Sequence, residues 1–270
     1  MVRTTTLMAA VAACFAFAAP AQAQGPVGPK PTDETTGPRI PLTTAPGGKL
    51  RPGVYIGKRF TSMVEANGPL TLIDCVTPGL KVTNGPVLLD HTDVFGWFGV
   101  LTNNLDPSKQ VLTARFVKVV GPIDNDTMRI GSRNWNDPTR LVNTRFEDSI
   151  ISSPFDPFAP RSAKAHFDLV QFGGGQNSSF ERVVLRYDGT QFNPRNTQYV
   201  NNGIKNKGVV LDDIWVEGGP VGYVLAGPMT VRRAVISPST KHYGFVYPSA
   251  NPNYRPVLED VFATAGGPVR

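Results

Sequence analysis

A five-residue unit returns seven times along this chain and limits what it can fold into. Its pattern is apolar, any residue, charged, small or apolar, apolar. It runs Leu72-Ile73-Asp74-Cys75-Val76, Phe116-Val117-Lys118-Val119-Val120 and Phe146-Glu147-Asp148-Ser149-Ile150. Phe180-Glu181-Arg182-Val183-Val184 and Leu211-Asp212-Asp213-Ile214-Trp215 follow. Val231-Arg232-Arg233-Ala234-Val235 and Leu258-Glu259-Asp260-Val261-Phe262 complete the series. The charged positions lie 44, 30, 34, 31, 20 and 27 residues apart, with no helical pattern between them. One short strand per interval is the signature of a solenoid that stacks one strand on each coil.

The charged position alternates in sign: Asp74, Lys118, Asp148, Arg182, Asp213, Arg233, Asp260. Stacked at the strand spacing of about 4.8 Å, each charge would lie between two of opposite sign. That describes a structural ion-pair ladder, with a substrate-binding role as its competitor. An eighth unit, Leu88-Leu89-Asp90, follows Asp74 by only 16 residues, which is short for a coil, and it is left out of the frame.

A second row aligns Asp168-Leu169-Val170-Gln171, Gln198-Tyr199-Val200-Asn201, Gly222-Tyr223-Val224-Leu225 and Gly244-Phe245-Val246-Tyr247 on a shared valine. Two interleaved ladders imply at least two strands per coil, with insertions in the turns. The expected fold is all-β, a single-stranded right-handed parallel β-helix.

Ahead of it, residues 1–23 carry Arg3, an apolar run from Leu7 to Ala19 and the small-x-small site Ala21-Gln22-Ala23. This is a secretory signal peptide, and a secreted or periplasmic protein is expected. The apolar run is too short to span a membrane. Cleavage removes Cys14, leaving Cys75 alone at the small position of the first unit and no intramolecular disulfide. A buried structural thiol is the expectation there.

Residues 24–53 hold seven Pro and six Gly, an extended leader before a β-helix domain at 54–270. Leu42 to Phe60 is the natural cap for the first coil. Sixteen Asn against six Glu oppose helix. The charge of +6 becomes +5 without Arg3, mildly basic and permissive of an acidic partner. Lys and Arg are dispersed and match no nucleic-acid module, so no nucleic-acid partner is expected.

Candidate chemistry gathers in Ala165-His166-Phe167-Asp168-Leu169-Val170-Gln171-Phe172. On a strand, His166 and Asp168 share a face about 7 Å apart, and Gln171 lies near. These three form the candidate catalytic cluster, with His166 the proton carrier. The opposing interpretation makes His166 a turn residue and Asp168 locally paired. Either the valines point inward with Asp168, leaving Leu169, Tyr199, Tyr223 and Phe245 as an outer sugar-stacking track, or the parity is reversed. Tyr199, Tyr223, Phe245 and Lys241 are the candidate substrate-binding residues. Asp124 and Asp126, two residues apart in a loop, can hold Ca²⁺, although both are ordinary turn residues. Trp135, in Arg133-Asn134-Trp135-Asn136, can stack on a sugar or fold back over the coil.

Thr36-Gly37-Pro38, Gly57-Lys58-Arg59, Leu72-Ile73-Asp74-Cys75, the His-x-Asp-x-x-Gln stretch and Trp215-Val216-Glu217-Gly218-Gly219 resemble secreted bacterial right-handed parallel β-helix proteins of the pectate-lyase-like superfold. Members typically carry His-Ser-Asp-Gly-Ile-Gln, where this chain has Phe167 and Leu169, and stack Asn where it has Asp, Lys or Arg. The resemblance implies action on polysaccharides: lyases with an Arg or Lys base, often with Ca²⁺, and hydrolases with clustered carboxylates. Lys164, Arg129, Lys207 and Lys241 are available as bases, and Asp212-Asp213 is the adjacent acidic pair. The expectation is a monomer acting on polysaccharide, an acidic one preferred, through β-elimination. A non-catalytic glycan-binding or structural β-helix is the alternative, and a trimeric adhesive spike a third.

Overall fold

The computed structural model describes residues 25–102, 109–121, 126–132, 142–154, 168–173, 176–188, 198–202, 208–218, 221–236, 242–246, 252–263 and 267–268. Among them the fold is a parallel β-helix with no α-helix. Each coil has three straight sides. The first stack holds Gly53–Ile56, Leu70–Ile73, Val87–Asp90 and Gln110–Arg115, then the front halves of Val142–Pro154, Gln176–Asp188, Val209–Gly218, Thr230–Ile236 and Val257–Ala263. The second stack holds Thr43–Ala45, Lys58–Phe60, Val76–Thr77, Asp93–Phe95 and Lys118–Val120, then the rear halves of the same long strands. Together they make one fifteen-stranded sheet bent at a corner. The third stack is a nine-stranded sheet from Gly48–Lys49 through Phe98–Thr102, Met128–Ser132 and Asp168–Gly173 to His242–Val246.

The corner between the first two stacks explains the five-residue unit. Gly57, Asp74, His91, Phe116, Asp148, Arg182, Asp213, Arg233 and Asp260 all have φ between 47° and 61°, in the left-handed region. Strand pairing aligns these residues as one row. A left-handed residue shifts the two-residue alternation by one step. The residues two before it (Leu72, Phe146, Phe180, Leu211) and one after it (Cys75, Ser149, Val183, Ile214) therefore both face inward and are buried. The core is thus continuous round the bend. Side chains at φ > 0 are uncommon outside Gly, Asn and Asp, which accounts for four Asp in the row.

Two expectations need correcting. Lys118 is not a corner residue; Phe116 is, and the true second unit begins at Ala114. The excluded Leu88-Leu89-Asp90 stretch is a complete coil, with His91 at its corner seventeen residues after Asp74. The invariant is a backbone conformation, and charge only decorates it. His91 and Phe116 stack their rings at 4.6 Å and 22° where an ion pair was expected. Sign alternation does hold from Asp148 to Asp260, and ion pairs form where two steps meet. Arg182 grips Asp148 at 2.6 and 3.1 Å, and Arg233 reaches Asp213 at 2.7 Å.

Inside, Phe98, Phe146, Phe180 and Phe172 form a chain of ring contacts at 5.8, 4.9 and 5.7 Å. The first coil, Thr43 to Ile56, pairs on one side only among the described residues. Its strands are two to four residues long. Pro41, Pro46, Pro52, Lys49, Arg51 and Lys58 lie along it, the usual guards against end-to-end strand addition.

The Pro- and Gly-rich leader is an integral strap over the second stack. Val27 donates its N–H to Asp213, and Lys30 pairs with Glu217. Asp33 bridges Lys118 at 2.6 Å and Arg186 at 3.5 Å. The Gly37 N–H bonds the Phe116 carbonyl at 2.9 Å, and Arg39 clamps Asp74 with its backbone N–H and its guanidinium. Val76, Ile150 and Val184 occupy the outward fifth position of the unit, yet they are buried without belonging to the inner core. The strap covers them.

Arg182→Asp should lower the melting temperature and cost roughly 2 kcal/mol, because it sets three carboxylates in succession at 148, 182 and 213. Asp tolerates φ > 0 better than Arg. The loss, read by thermal denaturation at low salt, therefore reports the ion pair; unchanged stability would count against the stacking.

Candidate functional site

The third stack resolves the valine row. Val170 pairs with Val200 and Met128, and Val200 pairs with Leu225, not with Val224. Val170, Val200 and Leu225 are buried, so this row points inward. Asp168 shares its parity and is 1% exposed, and its N–H bonds the Asp126 carboxylate at 2.9 Å. Leu169, expected on the outside in that arrangement, is also fully buried. Register places Tyr199 and Phe245 in one row with Val224 between them. Tyr223 falls one step over, level with Gln198 and Gly244, so the three aromatics do not make one track. The one-residue slip arose from matching Val224, a residue of the right type in the wrong place, to the row that Leu225 fills.

His166, Lys241, Trp135, Lys164, Lys207 and Asp124 lie outside the described residues. Of the candidate catalytic cluster, Asp168 and Gln171 are placed, and they diverge: Asp168 inward, Gln171 outward and half-buried. Among the described residues no three His, Cys, Asp or Glu groups converge on a metal position. No helix among them is long and apolar enough to cross a membrane.

Gln171 belongs to an outward row on the third stack: Lys49, Glu65, Lys81, Gly99, Arg129, Gln171. Its centre is a glycine for a physical reason. A Cβ on Gly99 would lie 2.1, 2.5 and 2.6 Å from Cη2, Cζ2 and Cζ3 of Trp97. The six-membered ring of the indole therefore rests on the Gly99 backbone. Trp97 stays partly exposed, with Lys81 one coil to one side and Arg129 one coil to the other. Lys81 is steadied by Glu65 at 3.4 Å. An aromatic face between two cations, continued by the amide of Gln171, suits a ring-shaped, hydroxylated, anionic ligand.

Gly96-Trp97-Phe98-Gly99 has no role in the sequence reading. The usable signal was the Trp-x-Gly spacing, which lets a side chain fold back over a residue that has none.

A second cluster went unseen because its coil was excluded. Nδ1 of His91 lies 2.6 Å from Oδ1 of Asp90, whose Oδ2 takes a hydrogen bond from Arg115 at 2.7 Å. Asp74, held below the usual carboxylate range by Arg39, sits beside His91 in the corner row. Asp90 and His91 are nearly buried, Arg115 reaches them from an exposed position, and the His91 ring stacks on Phe116, so the set braces the corner. The outer face of the first stack carries a shallow, mostly apolar groove between Gly53, Val54, Pro69, Thr71, Pro86 and Leu88.

Cys75 is fully buried, with Sγ near the Ile73 and Tyr55 carbonyls at 3.2 and 3.4 Å, and burial pushes its thiol up. No protein-family model, no curated protein and no solved structure matches the chain.

Cys75 should stay unmodified by an aromatic disulfide reagent at pH 8 in the native protein and react fully in denaturant. A stoichiometric native reaction within minutes would contradict its placement.

Proposed function

We propose that the protein is an exported β-helix that binds an acidic polysaccharide along the outer face of its third stack. The observation that carries this reading is the Trp97 indole lying on Gly99 between Lys81 and Arg129. Rigid strands hold the row, so little ordering is needed on binding. Its coil-to-coil step of about 4.8 Å is close to the length of one sugar unit. One ring stacks on the indole while neighbouring carboxylates or sulfates meet the cations and hydroxyls meet the Gln171 amide. The net positive charge favours the encounter.

A lyase activity is the second reading, and Arg129 favours it. It is the one placed residue among the four candidate bases, next to the platform and level with Gln171. In β-elimination a base takes the proton beside the uronate carboxylate. The glycosidic C–O bond then breaks, a C=C bond forms, and the departing oxygen takes up a proton. Non-catalytic binding ranks first because charged groups on the neighbouring first stack are engaged in ion pairs, Arg145 with Glu147 and Glu181, and Arg232 with Glu259.

Retention on immobilised pectate, alginate and glycosaminoglycans, at low and high salt, tests the reading. Trp97→Ala should weaken the retained interaction about tenfold, and Arg129→Ala should reduce its salt dependence. No retention on any acidic glycan, or retention untouched by Trp97→Ala, would remove the proposal. Ultraviolet absorbance that rises during incubation and vanishes in Arg129→Ala would make the protein a lyase.

A further inference from the structure

Asp93 sits on the outer face of the second stack, between Val76 and Lys118, where the leader crosses. Gly37 lies directly on it. A Cβ there would be 2.6 Å from Oδ1 and 3.0 Å from Oδ2 of Asp93. Oδ1 is buried and has no hydrogen-bond partner. A carboxylate oxygen stripped of water and given no donor is costly when ionised. The leader therefore rests on a group whose charge opposes its docking. Four residues earlier, Asp33 does the reverse, bridging Lys118 and Arg186. Two residues later, Arg39 clamps Asp74.

We infer that the leader is a pH-sensitive latch, closed most firmly in mildly acidic solution. Asp93 loosens it as the pH rises, and Asp33 and Asp74 loosen it in strong acid. The charged groups facing Asp93 are Lys118 from the next coil and Asp33 from the leader. Burial pushes the Asp93 carboxyl up to about 6 against the pull of Lys118, and Asp33 adds to the rise. A carboxyl raised in the docked state favours docking while it holds its proton. That contribution is present below its ordinary value and is lost as the pH climbs through about 6. Asp33 is lowered by its hydrogen bond to Lys118, and Asp74 by its hydrogen bond to Arg39. Their contributions are present above the ordinary carboxylate value and are lost as the pH falls below it. The latch is tightest near the ordinary carboxylate value, about pH 4, and loosens as the pH rises from there to about 6. A rise of about two pKa units at Asp93 corresponds to about a hundredfold change in the opening equilibrium.

Hydrogen exchange of the full mature protein, corrected for the intrinsic pH dependence of exchange, reads the latch at the Gly37 and Arg39 amides. Protection at both should peak near pH 4 and fall by up to about a hundredfold towards pH 8, with most of the fall between about pH 4 and pH 6. In Asp93→Asn the fall on the alkaline side should disappear. Gly37→Ala, which drives a methyl into Asp93 at a φ of +77°, should leave the leader open at every pH. Carboxyl NMR of the unaltered protein provides a test without a variant. Asp93 should titrate near 6 when the leader is docked, and near the ordinary value in Gly37→Ala. Flat protection from pH 4 to 8, an unchanged fall in Asp93→Asn, or Asp93 titrating near 4 in the unaltered protein would each overturn the latch.

Discussion

The left-handed corner is the constraint on which the rest of the molecule depends. Each coil must reverse its in-out alternation there to keep the core continuous, and only a residue at positive φ does so within one step. For an L-amino acid that conformation costs about 1–2 kcal/mol, and eight non-glycine residues adopt it. Stacking offsets the cost, because corner side chains project side by side and can bond one another. Asp148 with Arg182 and Asp213 with Arg233 use charge-assisted hydrogen bonds, while His91 and Phe116 use ring contact. Chemically different solutions serve one backbone requirement.

The leader completes what the corner begins. A strand two residues past the bend presents apolar side chains on its outer as well as its inner face, and Ile150 and Val184 would be exposed if the coil stood alone. Residues 25–41 cover them and form a thin second core outside the first. Polar anchors at both ends of the strap, Val27 on Asp213 and Arg39 on Asp74, fix its position along the coil axis. The low-helix, Pro- and Gly-rich composition that looks like a linker is also what an extended strap requires.

The solenoid was legible in the chain because its inward positions repeat with a definite pattern around each corner. The boundaries of that pattern were less so. Lys118 satisfied a charge rule that Phe116 breaks, and Val224 satisfied a side-chain rule that belongs to Leu225. In both cases backbone register decided, and residue type alone does not encode it. Leu88-Leu89-Asp90 was rejected for its spacing, yet a coil without turn insertions needs only seventeen residues. Gln171 was found on the outer row for a partly mistaken reason, as the neighbour of Asp168 along the strand. Its actual company, Arg129 and Trp97, comes from earlier coils and cannot be read from local sequence. The burial of Asp93 was equally hidden, since it depends on a glycine 56 positions earlier in the chain.

The strap runs against the direction in which the coils accumulate. Coil-to-coil contacts join residues a few tens of positions apart, whereas Val27 meets Asp213 across 186 residues. At about 5–20 residues per second of synthesis, the first-made segment waits roughly ten to forty seconds for its last partner. Through that interval the apolar strip of Ile150 and Val184 stays open as the coils grow. Closure therefore waits for the coil that carries Asp213 and Glu217, and an early segment of the chain acts as its fastener.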